Sequence, residues 1–197
     1  MVILGLTGSI GMGKSTAGGM FRYLGVPVHD ADASVHRLMV PGGAAFDPII
    51  SVFPDVLKDG RIDRQILGTI VFADSDALKR LEAVLHPLVR AEENRFLKLN
   101  RLAQRSLVVL DIPLLFETAG EKRCDHVAVV SAPKFIQRQR VMARSGMTDA
   151  KFSAILAKQM PDREKRRKAD FIIPTGLGRA VTFATIRTIV DQLENRT

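Results

Sequence analysis

The chain has no tryptophan, one tyrosine and one cysteine, and each scarcity excludes something. A single Cys124 cannot close an internal disulfide, which argues against a cross-linked secreted scaffold and suits a reducing cytoplasm. Alone, it reads as a small apolar filler. An aromatic fraction of 6% leaves few faces on which bases could stack, so a single-strand nucleic-acid binder is disfavoured. Apolar runs are short: residues 127–130 fall far below the roughly 20 residues that a membrane helix needs. The N-terminus has no basic segment ahead of an apolar one, so no signal peptide is expected. No internal repeat or low-complexity tract occurs. These absences point to a cytoplasmic protein with small-molecule partners, no nucleic acid and no membrane, as a monomer or small homo-oligomer.

What is present is a net charge of +8 and one dense motif. Residues 8–15, Gly-Ser-Ile-Gly-Met-Gly-Lys-Ser, fit the phosphate-binding loop pattern G-x-x-x-x-G-K-[ST]. An apolar run at Val2, Ile3 and Leu4 precedes it and a helical pattern at residues 15–24 follows, ended by Gly25. Glycine at positions 8 and 13 lets the backbone bend and leaves no Cβ between its N–H groups and an anion. The helix N-terminus adds partial positive charge, Lys14 reaches the β/γ phosphates, and the Ser15 hydroxyl is a Mg²⁺ ligand. Gly8, Gly11, Met12, Gly13, Lys14, Ser15 and Thr16 are therefore the candidate ATP-binding residues. Gly18 and Gly19 inside the helix cost about 1 kcal/mol each relative to alanine and imply close packing against something.

Further along, residues 26–28 read as a second strand leading to Asp30 and Asp32. In open α/β sheets ligands bind beyond the carboxyl ends of strands, so these carboxylates are candidates for chemistry, or equally for capping the next helix. Transfer to a hydroxyl needs a carboxylate to accept or orient its proton, which tips the choice to Asp32. Residues 44–104 read as helices joined by short turns, with no obvious strand, and His86-Pro87 reads as the start of a new helix. Inside an α/β chain this block is a helical insertion suited to a second substrate. Residues 107–110 are a continuous apolar strand, and Asp111 at its end is placed like the acidic residue that helps hold Mg²⁺. The apolar stretch 112–116 reads either as core or as the wall of an acceptor pocket. Residues 127–130 are a fourth strand and 171–173 a fifth, terminal one; residues 181–193 form a closing amphipathic helix. Between them, Pro133 starts a helix on which Arg140 and Arg144 share one face. Thr148 caps a second helix, and a basic third runs to Lys168. Ten basic residues from 138 to 168 read as a solvated face or as a lid over phosphates.

Several of these stretches together resemble the dephospho-coenzyme A kinase family of small-molecule phosphate-loop kinases. They are residues 5–16, Asp30-Ala31-Asp32, residues 59–64 with Leu67, Leu85-His86-Pro87, residues 111–117, Gln137 with Arg140 and Arg144, and Gln159-Met160-Pro161 with the basic helix. The resemblance implies a three-layer α/β/α core with a five-stranded parallel sheet (1–30, 106–133 and 169–197), a helical acceptor-binding insertion (31–105) and a helical lid (134–168). It implies transfer of the ATP γ-phosphate to the ribose 3′-hydroxyl of dephospho-coenzyme A, with Mg²⁺ held at Ser15 and Asp111. Asp32, Lys14 and Arg140 would be catalytic and Arg144 would join the ATP site. Asp32, Asp63, Arg64, His86, Leu115 and Phe116 would meet the acceptor. The chain departs from the family at Pro174-Thr175-Gly176, where an acidic residue and an asparagine near the adenine are usual, and at Phe53-Pro54 in place of Phe-Gly. Rival readings are a kinase for another hydroxyl acceptor, a nucleotide-driven switch, and a basic nucleic-acid binder. No Asn-Lys-x-Asp segment supports a GTPase.

Overall fold

The computed structural model describes residues 1–194. In chain order the elements are β1 (Val2–Thr7), α1 (Lys14–Tyr23), β2 (Val28–Asp30), α2 (Ala31–Met39), α3 (Phe46–Val52), β3 (Leu57–Lys58), β4 (Arg61–Ile62), α4 (Arg64–Ala73), α5 (Ser75–Leu102) and β5 (Leu107–Asp111). They continue with β6 (His126–Ser131), α6 (Lys134–Met142), α7 (Asp149–Ala157), α8 (Asp162–Lys168), β7 (Phe171–Pro174) and α9 (Arg179–Glu194). The chain divides into two compact units, one of residues 1–30 with those from 100 onward, the other of residues 31–99.

The first unit is built on a five-stranded parallel sheet in the order β2-β5-β1-β6-β7. Every residue of β5 is buried, as a parallel strand covered on both faces requires. On one face Leu4, Leu6, Val109, Ala128, Val130 and Ile173 pack against Ala17, Met20 and Phe21 of α1 and Ile186, Ile189 and Leu193 of α9. On the other lie α8, which packs on β6, and the segment after β5, whose Leu115 and Cys124 approach Gly5. The α/β/α expectation therefore holds. Because β1 is flanked by β5 and β6, the connections after β1 and β5 both emerge at the carboxyl edge of the sheet, where such folds bind ligands. The second strand begins at Val28 rather than at residue 26. Pro27 has no N–H to give a ladder, although its carbonyl accepts from Val109 at 2.9 Å.

The second unit is helical around Leu38, Ala45, Ile49, Phe53, Val56, Leu67, Ala77 and Leu81. Two expectations are corrected here. The block is not strand-free: β3 and β4 pair antiparallel about the Asp59-Gly60 turn, where Asp59 and Gly60 have φ of 48° and 72°. Nor does His86-Pro87 start a helix, because α5 runs through Pro87 as one 28-residue element. A proline in a helix interior costs about 3 kcal/mol. Here Val84, Leu85, Leu88 and Val89 all pack against the apolar cluster on either side of it, so burial keeps the helix intact through the defect.

Candidate active site

Between β1 and α1 the phosphate loop takes its shape from three glycines with three reasons. A Cβ on Gly8 would collide with the Val130 side chain of β6. Gly11 has φ of 76°, and a Cβ there would lie 2.5 Å from Val141 and 3.0 Å from the Gln137 carbonyl. Gly13, φ 89°, is the residue that hands the chain to α1 in a left-handed conformation unfavourable for other residues. No acidic residue enters the first turn of α1, so its N-terminal N–H groups and dipole remain available to an anion.

Lys14 opens α1 and its Nζ lies 2.5 Å from Oδ1 of Asp111, the last residue of β5. Asp111 is only 2% exposed. The glycine at position 18 is explained by the same carboxylate: a Cβ there would sit 3.3 Å from Asp111 Oδ2. Ser15 is one helical turn before Gly18 and so lies on the same stripe of α1. A hydroxyl and a carboxylate along one stripe, beside a loop that receives phosphates, are hard oxygen donors of the kind Mg²⁺ takes with substrate phosphate. The donor set fits that ion. Among the described residues no cluster of three or more His, Cys, Asp or Glu side chains forms an all-protein metal site.

The flank of the loop is held by Arg140 and by three side chains that the sequence left without a role. Gln137 of α6, 5% exposed, donates from Nε2 to the Ile10 carbonyl at 2.8 Å, and Gln159 accepts from the Ile10 N–H at 3.0 Å. Thr175, just past β7 and 7% exposed, donates from Oγ1 to the Met12 carbonyl at 2.6 Å. Arg140 donates to the Thr175 carbonyl at 2.7 Å and to its hydroxyl at 3.2 Å, with a long contact of 3.5 Å to the Gly11 carbonyl. The position that departs from the family pattern is thus a junction between α6, β7 and the phosphate loop. Burial of a polar residue was the signal for Gln137 and Thr175, and burial is not printed in a sequence.

The basic segment is not one solvated face. Arg138 pairs with Asp149 at 2.7 Å. Lys165 of α8 is fully buried and meets Glu117 at 2.9 Å, while the same Glu117 oxygen accepts from the Met160 N–H at 2.7 Å. Desolvation pushes the Glu117 carboxyl up, but the Lys165 ammonium and the Met160 amide outweigh it and hold the group below its usual range. Arg144 is exposed and lies past the end of α6, which stops at Met142, so it does not share a helical face with Arg140 as its spacing predicts. Of the apolar stretch after Asp111, Leu115 is wholly buried, against Gly5 and Gly120, and Phe116 is 8% exposed. Of the two readings offered for these side chains, the interior one describes where they lie.

In the second unit, Asp32 is exposed at the second position of α2 and Asp30 immediately precedes that helix, so Asp32 is not its cap. Asp63 caps α4, accepting from Gln65 and Ile66 N–H at 2.9 and 3.1 Å. Arg64 lies 3.3 Å from His36 Nδ1, and the two line a cavity of about 380 Å³ with Arg61, Met39 and Ile62. His86 is exposed on α5. Among the described residues no helix is long and apolar enough to cross a membrane.

A phosphate loop on a five-stranded parallel sheet, with a lysine from the start of α1 and an aspartate from the end of β5 at its mouth, defines a phosphate-loop kinase fold. The profile of the dephospho-CoA kinase family matches residues 2–177. The chain is 56% identical over 196 residues to a dephospho-CoA kinase of Mesorhizobium japonicum, covering 100% of this chain and 98% of that one. It is 64% identical over 166 residues to that of Paramagnetospirillum magneticum, covering 84% and 78%. The solved dephospho-CoA kinase of Campylobacter jejuni superimposes with a TM-score of 0.72 at 29% identity, covering 98% and 97%. The chain belongs to the dephospho-CoA kinase family, which catalyses the final step of coenzyme A synthesis.

Proposed function

We propose that this chain transfers the γ-phosphoryl group of ATP to the ribose 3′-hydroxyl of dephospho-coenzyme A, giving coenzyme A and ADP. The observation that carries the reading is the pairing of Lys14 with Asp111 at the mouth of the phosphate loop, in a chain that matches the family from residue 2 to residue 177. The loop amides of Gly11 and of Gly13 to Thr16 bind the phosphates, the Met12 N–H being bonded to the Ser9 carbonyl, and Lys14 leaves Asp111 to meet the β and γ oxygens. Ser15 and Asp111 would hold Mg²⁺, which would supply positive charge beside the phosphates. Asp32 accepts or orients the proton of the acceptor hydroxyl. Arg140, beside Gly11, and Arg144 offset charge on the transferring group. Positioning and electrostatics supply most of the rate, since phosphoryl transfer asks little covalent help.

On the acceptor side Arg64, with Arg61 around the same cavity, presents guanidinium groups suited to the acceptor's phosphates, and His86 and Asp63 complete the set. Leu115 and Phe116, being interior, shape the segment that follows Asp111 rather than touch the acceptor. The protein works in the cytoplasm as a monomer or small homo-oligomer, without nucleic acid or membrane. The test is ADP formation from Mg·ATP with and without dephospho-coenzyme A, with the product's phosphate position read by ³¹P NMR. Acceptor-dependent ADP and a 3′-phosphate are expected. ADP formed at the same rate without acceptor, or only with another hydroxyl compound, overturns the reading.

A further inference from the structure

Two peptide units of the phosphate loop are each held from outside by a side chain of a distant segment. In a planar trans peptide the carbonyl and the next residue's N–H point opposite ways, so fixing the one aims the other. The Gln137 amide fixes the Ile10 carbonyl and thereby aims the Gly11 N–H. The Thr175 hydroxyl fixes the Met12 carbonyl and aims the Gly13 N–H. Gly11 and Gly13 are the loop's two residues at positive φ, and a peptide preceding glycine flips at little steric cost. The units that would turn over most easily are the ones tied down. Gln159 completes the grip by accepting from the Ile10 N–H, so both backbone groups of one loop residue are engaged by glutamines. The roles of the two amides are forced, since an N–H only donates and a carbonyl only accepts.

We infer that Gln137, Thr175 and Gln159 are positioning residues that hold the phosphate loop with its amides aimed at the nucleotide's phosphates. This rests on the kinase reading of the loop. It gives Gln137 and Gln159 a role in setting ATP affinity through Ile10, without touching ATP.

The opposite roles of the two amides supply a matched pair. Gln137→Glu and Gln159→Glu add the same charge and nearly the same volume beside the same residue. Both side chains border a cavity of about 1040 Å³, so neither change overpacks the site. At position 159 a carboxylate still accepts from Ile10; at 137 it cannot donate and opposes a carbonyl. Binding of Mg·ATP to each full-length variant is measured calorimetrically, with KM for ATP, kcat and melting temperature alongside. Gln137→Glu is expected to weaken ATP binding at least about tenfold more than Gln159→Glu, because it alone leaves the carbonyl unpaired. The loss should appear in KM for ATP more than in kcat at saturating ATP, and should exceed any difference in melting temperature. Equal weakening by the two variants overturns the proposal and leaves the kinase reading untouched. If Gln137→Glu does not fold, Thr175→Val against Thr175→Ser asks the same question without charge: the valine variant should bind ATP about tenfold more weakly than the serine variant, which keeps the hydroxyl. Equal affinities there overturn it as well. Failure of dephospho-coenzyme A to act as acceptor would leave these ATP comparisons standing.

Discussion

The two units of this molecule are held by different kinds of polar contact. In the sheet unit the side-chain hydrogen bonds near the loop join residues far apart in sequence: 97 residues for Lys14 and Asp111, 149 for Ile10 and Gln159, 163 for Met12 and Thr175. In the helical unit they are mostly local. Asp63 caps the helix it precedes, Thr69 bonds back to the Gln65 carbonyl, Asp74 accepts from Asp76, and Lys79 pairs with Asp76. The apolar cluster around Ile49, Val56 and Leu67 does the rest. Long-range polar ties fix backbone groups where a triphosphate must be met by several amides at once. Apolar packing with local caps makes a sound helical unit without fixing any one group so closely. Placement of the donor substrate therefore depends on single distant residues in a way that the helical unit's architecture does not.

The largest expected break in this contrast is chemical. Lys14→Ala should lower turnover by about 10³-fold, since one preorganised charge on the transferring phosphates is removed, and it leaves Asp111 without this partner. Acceptor-dependent ADP release checks it. Next is a thermodynamic break in the same unit. Glu117→Ala strands the fully buried Lys165 ammonium and should cost about 3–5 kcal/mol in urea unfolding. A double replacement, Glu117→Gln with Lys165→Met, should recover much of that loss because no uncompensated charge remains buried.

These contrasts mirror what could be read from residues alone. The phosphate loop, the apolar strands β1, β5, β6 and β7, the cap at Thr148 and the helix start at Pro133 are local patterns, and the structure has them. The failures are of two kinds. Pro87 was overridden by packing on both sides of it, and β3 and β4 are two residues each, too short to leave an alternation. The other kind concerns partners. Nothing local links Glu117 to Lys165, Gln137 to Ile10 or Thr175 to Met12, because each pair is assembled by the sheet order rather than by spacing. The motif named the loop; only the fold shows what holds it.

In the helical unit the corresponding effects are smaller. Asp63→Ala removes the cap of α4 and should cost about 1 kcal/mol, read as a modest shift in unfolding midpoint. A cost near that of Glu117→Ala would erase the distinction between the units. Smallest is a pH effect confined to the sheet unit. The Glu117 carboxyl sits below its ordinary range when folded, so the stability it contributes is present above about pH 4.3 and is lost as pH falls through the folded value. Wild type should thus lose stability more steeply than Glu117→Gln on acidification below that pH. Parallel curves in thermal melts would contradict it.

The central claim is the proposed division of roles, with ATP met by residues of the sheet unit and dephospho-coenzyme A by Arg64 of the helical one. Steady-state kinetics of Arg64→Ala, with ATP and dephospho-coenzyme A varied separately, test it most directly. The account predicts a rise of about tenfold or more in KM for dephospho-coenzyme A, the loss of one charge-assisted hydrogen bond, with KM for ATP held within about twofold. A parallel rise in both constants, or a rise for ATP alone, would contradict it.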